Sequence, residues 1–201
     1  LVLVRNTTEH AFDGATQIFV YTRDLPNLFA ASVAAMDQLH LTILDARIIT
    51  STLGFSLDTY VVLDENGEQI GNDPARIAHI RQGLTDTLRD PTRFPAVVQR
   101  RIPRQYRAFR FPTEVTISND LHGRTAIELV TLDRPGLLAR VGRIFMEFNL
   151  LLQNARIATL GERVEDVFFV TGADGRPLAD PALCDRLQQT LRNSLDSTDE
   201  S

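Results

Sequence analysis

Four polar or small residues behind a predicted strand at 125–131 indicate a small-ligand site. Asp133 and Gly136 lie where the strand gives way to an amphipathic helix, and Gln153 and Asn154 lie on the next predicted strand. The first turn of a helix leaves backbone N–H groups unpaired, which suits a carboxylate, and Gly136 lets a ligand approach the backbone closely. Asp133 offers an acceptor to an ammonium, and the two amides can recognise another amide. This chemistry predicts binding of a small zwitterion.

The same loop also has a purely structural interpretation. Asp133, and Asp24 at the corresponding place earlier in the chain, can cap the helices that follow them, and Gly136 is then only a helix-start residue. The residue types alone leave both interpretations open.

Composition excludes several kinds of catalytic site. All 21 Lys and Arg positions of the 201 residues are Arg. The chain therefore lacks the lysine that forms a Schiff base, the lysine of a phosphate-binding P-loop and the strand lysine of a protein kinase. The chain has a single cysteine, Cys184, and cannot form an intrachain disulfide, which suits a cytoplasmic protein. We expect the side chain of Cys184 to pack within the last predicted helix. The four histidines have no ligand spacing to one another, so we expect no metal site. No apolar run approaches 18 residues, so neither a membrane span nor an export signal is expected.

Charge divides the chain into three parts. Residues 1–90 carry 6 Arg and 12 acidic side chains, residues 91–111 carry 6 Arg and no acid, and residues 112–201 carry 9 Arg and 14 acids. We therefore predict a first domain at 1–90, an Arg- and Pro-rich connector at 91–111, and a second domain at 112–201. The connector is either a solvated tether or a docking strip for an acidic neighbour. Nucleic acid is not expected as a partner, because the acidic flanks would repel phosphates.

An internal repeat links the two predicted domains. Residues 16–30 align with residues 125–139 at a constant offset of 109, and the same offset carries 46–50 onto 155–159. Gaps fall only between predicted elements, as two copies of one fold require.

Each copy reads strand, helix, strand, strand, helix, which is one strand short of the ferredoxin-like βαββαβ unit. Residues 1–5 and 114–118 are the candidate missing strands. Either 112–118 completes the first copy or each leading strand serves its own copy, and we favour the second arrangement because the tail after Leu195 is polar. The predicted fold class is α+β, with two tandem units, each an antiparallel sheet with helices on one face.

The motif Asp133-Arg-Pro-Gly-Leu-Leu138 follows a strand and precedes an apolar-faced helix and a strand containing Ala155-Arg-Ile157. This pattern resembles the ACT domain, a small regulatory module that binds amino acids. The match extends over essentially the whole chain, which resembles the C-terminal tandem ACT region of bifunctional uridylyltransferase/uridylyl-removing enzymes. The stretches that carry it are Val20–Ala30, Asp45–Thr50, Thr113–Asn119 and Leu152–Phe169.

The resemblance implies a regulatory, non-catalytic part that senses L-glutamine. By the same resemblance, the catalytic domains would lie upstream in the same chain, would use Mg, and would act on the PII signal protein. The chain begins with Leu and not Met, so we expect it to be a piece of a longer protein. It has no Gly-Ser pair to open the nucleotidyltransferase motif, and none of its His residues is followed by Asp as in the HD-type phosphohydrolase motif, so we expect no catalytic residue and no cofactor here. A homodimer through ACT sheets is a further expectation. The residues implied to bind ligand are Asp133, Arg134, Pro135, Gly136, Leu137, Gln153 and Asn154.

A weaker second site is predicted in the first copy. There Asn27 replaces the motif glycine, Leu25 replaces Arg134, and Asp45 replaces Asn154. The residues of this weaker site are Asp24, Leu25, Pro26, Asn27, Leu28 and Asp45.

Two other function classes stay open at this point. The pair can be a ligand-free scaffold for dimerisation or interaction. The ferredoxin-like plan also serves RNA-binding modules, although the chain lacks a Gly-Phe-Gly-Phe-type run and has a formal net charge of −5.

Overall fold

A computed structural model describes residues 1–6, 15–71, 73–93, 112–120 and 122–196. Of the predicted connector at 91–111, residues 91–93 form a short 3-10 helix and residues 94–111 lie outside the described residues.

A leading strand opens each copy of the repeat. Strand β1 (Val2–Asn6) pairs antiparallel with β2 (Thr16–Arg23), and β5 (Glu114–Asn119) pairs antiparallel with β6 (Thr125–Leu132). The prediction that each leading strand serves its own copy is therefore confirmed. In the sheet, this strand takes the edge position that the final strand holds in a βαββαβ unit.

The remaining elements follow the hydrophobic pattern of the sequence. In the first copy they are α1 (Leu28–Gln38), β3 (Leu41–Thr50), β4 (Phe55–Asp64) and α2 (Pro74–Arg89). In the second copy they are α3 (Leu137–Glu147), β7 (Leu151–Leu160), β8 (Arg163–Thr171) and α4 (Pro181–Asp196). The Asp-Pro pairs start the last helix of each copy as predicted, since each Asp carboxylate accepts a hydrogen bond from the backbone of the second helical residue.

The two copies share one eight-stranded antiparallel sheet with the strand order β1-β2-β4-β3-β7-β8-β6-β5. The join is the pairing of β3 with β7, in which Asp45 lies opposite Ala158, Arg47 opposite Arg156 and Ile49 opposite Asn154. Because these two strands run antiparallel, the start of β3 lies beside the end of β7, and the start of β7 beside the end of β3.

Within the described residues, the four α-helices cover one face of this sheet, and α1 of the first copy packs directly on α3 of the second. At the closest point of that contact, an added side chain on Gly142 would lie 2.8 Å from the Cα atom of Ala30. Phe29 reaches across to the second copy, with its ring centroid 6.5 Å from Phe145 and 6.0 Å from Phe168. This arrangement confirms the predicted fold class of two tandem ferredoxin-like units with helices on one face.

Candidate functional site

The loop between β6 and α3 has a defined shape. The backbone N–H of Asp133 donates to the carbonyl of Glu162 at 2.8 Å, and that of Leu137 donates to the carbonyl of Arg134 at 3.1 Å. Gly136 stands immediately before α3 with φ of 75°, in the left-handed region that glycine tolerates best. In the first copy Asn27 holds this position with φ of 66°.

Neither aspartate caps a helix. The residues that precede α1 and α3 are Asn27 and Gly136, and neither makes a side-chain capping hydrogen bond. The structural interpretation of Asp24 and Asp133 as helix caps is wrong, because both helices begin four residues after the aspartate.

A cavity of about 200 Å³ lies beside the second-copy loop. Its walls come from both copies of the repeat. The second copy contributes residues 133–139 together with Ile157, Thr159, Val164 and Asp166, and the first copy contributes Val33, Asp37, residues 41–43 and Glu65. The cavity is thus formed where the two copies meet, and neither copy forms it alone.

The sheet register explains why the first copy contributes to this wall. Asp45 lies opposite Ala158, so the preceding residues of β3 run beside the end of β7. There the hydroxyl of Thr159 donates to the carbonyl of Ile43 at 3.4 Å. The start of β3 therefore faces the loop of the other copy.

Five of the seven residues implied to bind ligand are brought together here. They form a continuous segment of the cavity wall: Asp133, Arg134, Pro135, Gly136 and Leu137.

Gln153 and Asn154 are not at this cavity. Asn154 lies opposite Phe169 on β8, whereas Leu132, the residue before Asp133, lies opposite Arg163. Six residues along a strand correspond to about 20 Å, so the two amides lie at the far end of the sheet from Asp133. The placement of these amides beside Asp133 is corrected accordingly.

The same displacement separates the predicted residues of the first copy. Its loop is built like that of the second, with the N–H of Asp24 donating to the carbonyl of Gly54 at 3.0 Å. Asp45, however, lies opposite Val61, whereas Arg23 lies opposite Phe55, which again puts about 20 Å between strand residue and loop. Leu25, Pro26, Asn27 and Leu28 stay with Asp24 in the loop and first helical turn.

Each loop lies closer to the predicted strand residue of the other copy than to that of its own copy. Asn154 lies opposite Ile49, near the end of β3 and toward the first-copy loop, whereas Asp45 lies opposite Ala158, toward the second-copy loop. The sequence analysis joined each loop to a strand of its own copy, and the shared sheet joins it to a strand of the other.

The cavity wall is acidic. It carries the side chains of Asp37, Glu65, Asp133 and Asp166, against the single basic side chain of Arg134. The guanidinium of Arg134 donates to the carbonyl of Leu195 at 2.9 Å, at the end of α4. Burial raises the pKa of Asp133 above its usual value.

Asp166 is the residue that the sequence analysis missed. It lies on β8 with 1% of its surface exposed, and its Oδ1 accepts a hydrogen bond from the N–H of Ala158 at 3.2 Å. Burial, and secondarily the nearby Asp133, raise the pKa of Asp166 well above the usual value. A signal was present in the sequence, because a carboxylate recurs at the same place in the equivalent strand of each copy, at Asp58 and Asp166, two residues before a buried aromatic residue, Tyr60 or Phe168.

Metal chemistry finds no support in the part of the chain that the structure describes, where no three His, Cys, Asp or Glu side chains are grouped to hold an ion. Nor does any helix in the described ranges combine the length and apolar character of a membrane span.

Residues 125–188 match the family model of the ACT domain. The match lies within the second copy, from β6 into α4, and the first copy repeats the strands, helices and loop geometry of the second in the same sheet. The class of protein that the fold and the site define is therefore a tandem pair of ACT domains, a regulatory architecture.

Curated relatives identify the setting of this pair. The chain is 59% identical over 196 residues, 97% of its length, to a bifunctional uridylyltransferase/uridylyl-removing enzyme of Azotobacter vinelandii. It is 58% identical over all 201 residues to the enzyme of the same name of Pseudomonas fluorescens. Each alignment spans 22% of the relative's length. The chain thus belongs to the ACT-containing regulatory part of this enzyme family.

Among solved structures, an aspartate kinase from Synechocystis aligns with 92% of the chain and 27% of its own length, at 14% identity and a TM-score of 0.49. At that score the likeness carries no argument about this protein.

Proposed function

We propose that this chain is the glutamine sensor of an enzyme that attaches UMP to the PII signal protein and removes it. The observation that carries the proposal is the cavity between the copies, lined by the whole Asp133–Leu137 segment. The two activities, attaching and removing UMP, are taken from the names of the relatives. The catalytic domains and any Mg that they use would belong to other parts of the enzyme, which would act in the cytoplasm.

The size and chemistry of the cavity support an amino acid as ligand. A volume of about 200 Å³ is below the ~300–1,000 Å³ of pockets for drug-sized ligands. The start of α3 offers backbone N–H groups to a carboxylate, and Asp133 offers an acceptor to an ammonium. Thr42 and Thr159, one from each copy, add hydroxyl groups for a polar side chain.

Ligand binding here would have a direct structural consequence. The cavity takes residues 41–43 from the first copy and residues 133–139 from the second, so an occupant would contact both. Occupancy would then stabilise one relative position of the copies, which is a means of signalling to attached domains.

The test is calorimetry on the 201-residue chain with glutamine, glutamate, asparagine and serine, together with thermal melting in the presence of each. We expect heat and stabilisation with glutamine, and weaker effects with the other three. If no amino acid produces binding heat or raises the melting temperature, the result would favour the ligand-free scaffold. A rise in melting temperature with RNA would favour the RNA-binding alternative.

A pair of matched variants locates the site. Gly136→Asp places a side chain at the cavity wall, whereas Asn27→Asp makes a similar change at the equivalent left-handed position of the first copy. We expect Gly136→Asp to weaken glutamine binding at least tenfold and Asn27→Asp to leave it within about twofold. Unchanged affinity in Gly136→Asp would contradict the assignment of the site.

A further inference from the structure

The carboxyl group of Asp166 is incompletely satisfied. Its Oδ1 has the N–H of Ala158, but its Oδ2 is buried and has no hydrogen-bond partner among the described residues. The residue is 1% exposed and forms part of the cavity wall. Because a buried polar atom without a partner costs free energy, this oxygen calls for a partner that the cavity supplies.

The first copy provides a comparison within the same chain. Asp58 is the equivalent of Asp166, and its Oδ1 accepts a hydrogen bond from the hydroxyl of Ser56 at 2.5 Å. Its Oδ2, like that of Asp166, has no partner among the described residues, but Asp58 does not line this cavity. At the position of Ser56 the second copy has Val164, an apolar residue that also lines the cavity. The second copy therefore lacks the internal side-chain donor that the first copy gives to its buried aspartate.

The surroundings of Asp166 favour a cation over a neutral donor. Asp133 lies near enough to raise the pKa of Asp166, and Asp37 and Glu65 approach the same cavity from the first copy. Arg134, the basic residue of the wall, has its guanidinium on the carbonyl of Leu195. A bound ammonium would relieve the repulsion between the buried carboxyl group of Asp166 and the half-buried carboxyl group of Asp133.

We propose that Asp166 receives the ammonium group of the bound amino acid on its Oδ2, with Asp133 as the second acceptor. Asp166 is then a specificity-determining residue, since it selects zwitterions over carboxylic acids of the same shape. The inference rests on the proposed function for the location of the ligand, but it does not require that the ligand be glutamine.

The test compares two ligands and three forms of the 201-residue chain. The ligands are glutamine and 5-amino-5-oxopentanoic acid, which is glutamine without its α-amino group. The forms are the wild type, Asp166→Asn, and Asp58→Asn as the matched buried control. Asn keeps an acceptor for the N–H of Ala158 and removes the charge, so the fold is expected to persist.

In the wild type we expect glutamine to bind on the order of 10- to 100-fold more tightly than the deaminated compound. In Asp166→Asn this ratio falls toward 1, because the loss affects glutamine and not the deaminated compound. In Asp58→Asn the ratio stays at its wild-type value. A ratio that persists in Asp166→Asn overturns the proposal, and so does tight binding of the deaminated compound to the wild type, which would make Asp166 a donor to a ligand oxygen.

A second variant covers the case in which Asp166→Asn does not fold. Val164→Ser introduces the donor that Ser56 gives to Asp58 in the first copy. We expect Val164→Ser to lower the ratio of glutamine affinity to deaminated-compound affinity severalfold, since the new hydroxyl competes with the ammonium for Asp166. An unchanged ratio in Val164→Ser would contradict the assignment.

The outcome separates the two proposals. If glutamine does not bind but another amino acid does, the glutamine proposal fails, and the role of Asp166 is judged on that amino acid and its deaminated analogue. If none of the twenty amino acids binds, both proposals fail.

Discussion

The two copies of the repeat have the same fold but differ in the surroundings of their buried aspartates. In the first copy the Oδ1 of Asp58 accepts a hydrogen bond from the hydroxyl of Ser56 in the same strand, and its Oδ2, like that of Asp166, has no partner among the described residues. In the second copy Asp166 has Val164 in place of the serine and opens onto a cavity. The two aspartates thus differ in the side-chain donor to Oδ1 and in the cavity beside Asp166, and not in their unpartnered Oδ2.

The contact between the copies shows a second asymmetry. Gly142 on α3 packs against the backbone of Ala30 on α1 without room for a side chain. The equivalent pair has Val33 on α1 and Ala139 on α3, and both of these residues line the cavity. The helices therefore touch at Gly142, and the cavity lies beside the pair of Val33 and Ala139.

The largest expected effect tests the buried aspartate of the first copy. Burial is the main cause that raises the pKa of Asp58 from 3.8 to about 7. The folded chain therefore holds a proton that the unfolded chain has lost between those pH values, and the free energy of unfolding falls as pH rises through this window. The shift corresponds to about 4 kcal/mol at most.

Asp58→Asn removes this contribution. We expect the free energy of unfolding, measured in urea, to fall between pH 5 and pH 8 more in the wild type than in the variant. The residual pH dependence of the variant would include Asp166, whose pKa is raised by the same cause. An equal difference between wild type and variant at both pH values would contradict the raised pKa.

The next effect tests the close contact of the helices. In Gly142→Ala the new Cβ would lie 2.8 Å from the Cα and 2.9 Å from the Cβ of Ala30, so α1 and α3 must move apart. We expect a loss of about 1–3 kcal/mol in the free energy of unfolding, measured by urea denaturation.

Gly83→Ala is the control for helix propensity. Gly83 lies in α2, and its added Cβ would meet the flexible end of Leu39 at 3.0 Å. Because Ala favours a helix over Gly by about 1 kcal/mol, this variant should be neutral or slightly stabilised. Equal effects of the two substitutions would show that the α1–α3 contact tolerates a side chain.

The aromatic residues of β4 and β8 offer a reciprocal exchange. Tyr60 and Phe168 are equivalent and fully buried, and the hydroxyl of Tyr60, which lies near Ser32 and Asp58, makes no hydrogen bond of standard geometry with the described residues. Phe168 packs edge-on against Phe145 at 5.2 Å. Phe168→Tyr should cost about 1–3 kcal/mol, whereas Tyr60→Phe should cost less than about 1 kcal/mol or stabilise the fold. Thermal melting of both variants checks the order, and a larger loss in Tyr60→Phe would contradict it.

The smallest effect concerns the left-handed residue before the first helix of each copy. Gly136→Ala should lose about 1 kcal/mol, because an L side chain is strained at φ of 75°. Asn27→Gly should change stability by only a few tenths of a kcal/mol, since Asn tolerates that region and Gly gives up entropy on folding. Urea unfolding without ligand measures both, and a stable Gly136→Ala would show that the loop can rearrange.

Most of the fold was accessible from the sequence because each copy repeats its signals. The offset of 109, the β-branched runs and the Asp-Pro helix starts predicted the strands and helices, and the polar tail favoured a leading strand for each copy. The helix starts after Asp24 and Asp133 were less clear, because Pro26 and Pro135 precede the first helical turn instead of opening it.

The candidate site was accessible only in part. A contiguous motif such as Asp133–Leu137 stays together in any fold, so the sequence identified it. Asn154 was joined to it by analogy within one copy, and the register put it about 20 Å away.

The sequence by itself determined a duplicated α+β chain, the strand-to-helix loop at Asp133–Leu137 and the absence of lysine chemistry, since these depend on residue types and local order. Tertiary structure alone decided that β3 pairs with β7, which brings the start of one copy's strand to the other copy's loop. It also decided that Asp166 is buried beside a cavity, with one oxygen that has no hydrogen-bond partner in the part of the chain that the structure describes. Pairing between copies depends on contacts more than 100 residues apart, and no local pattern encodes them.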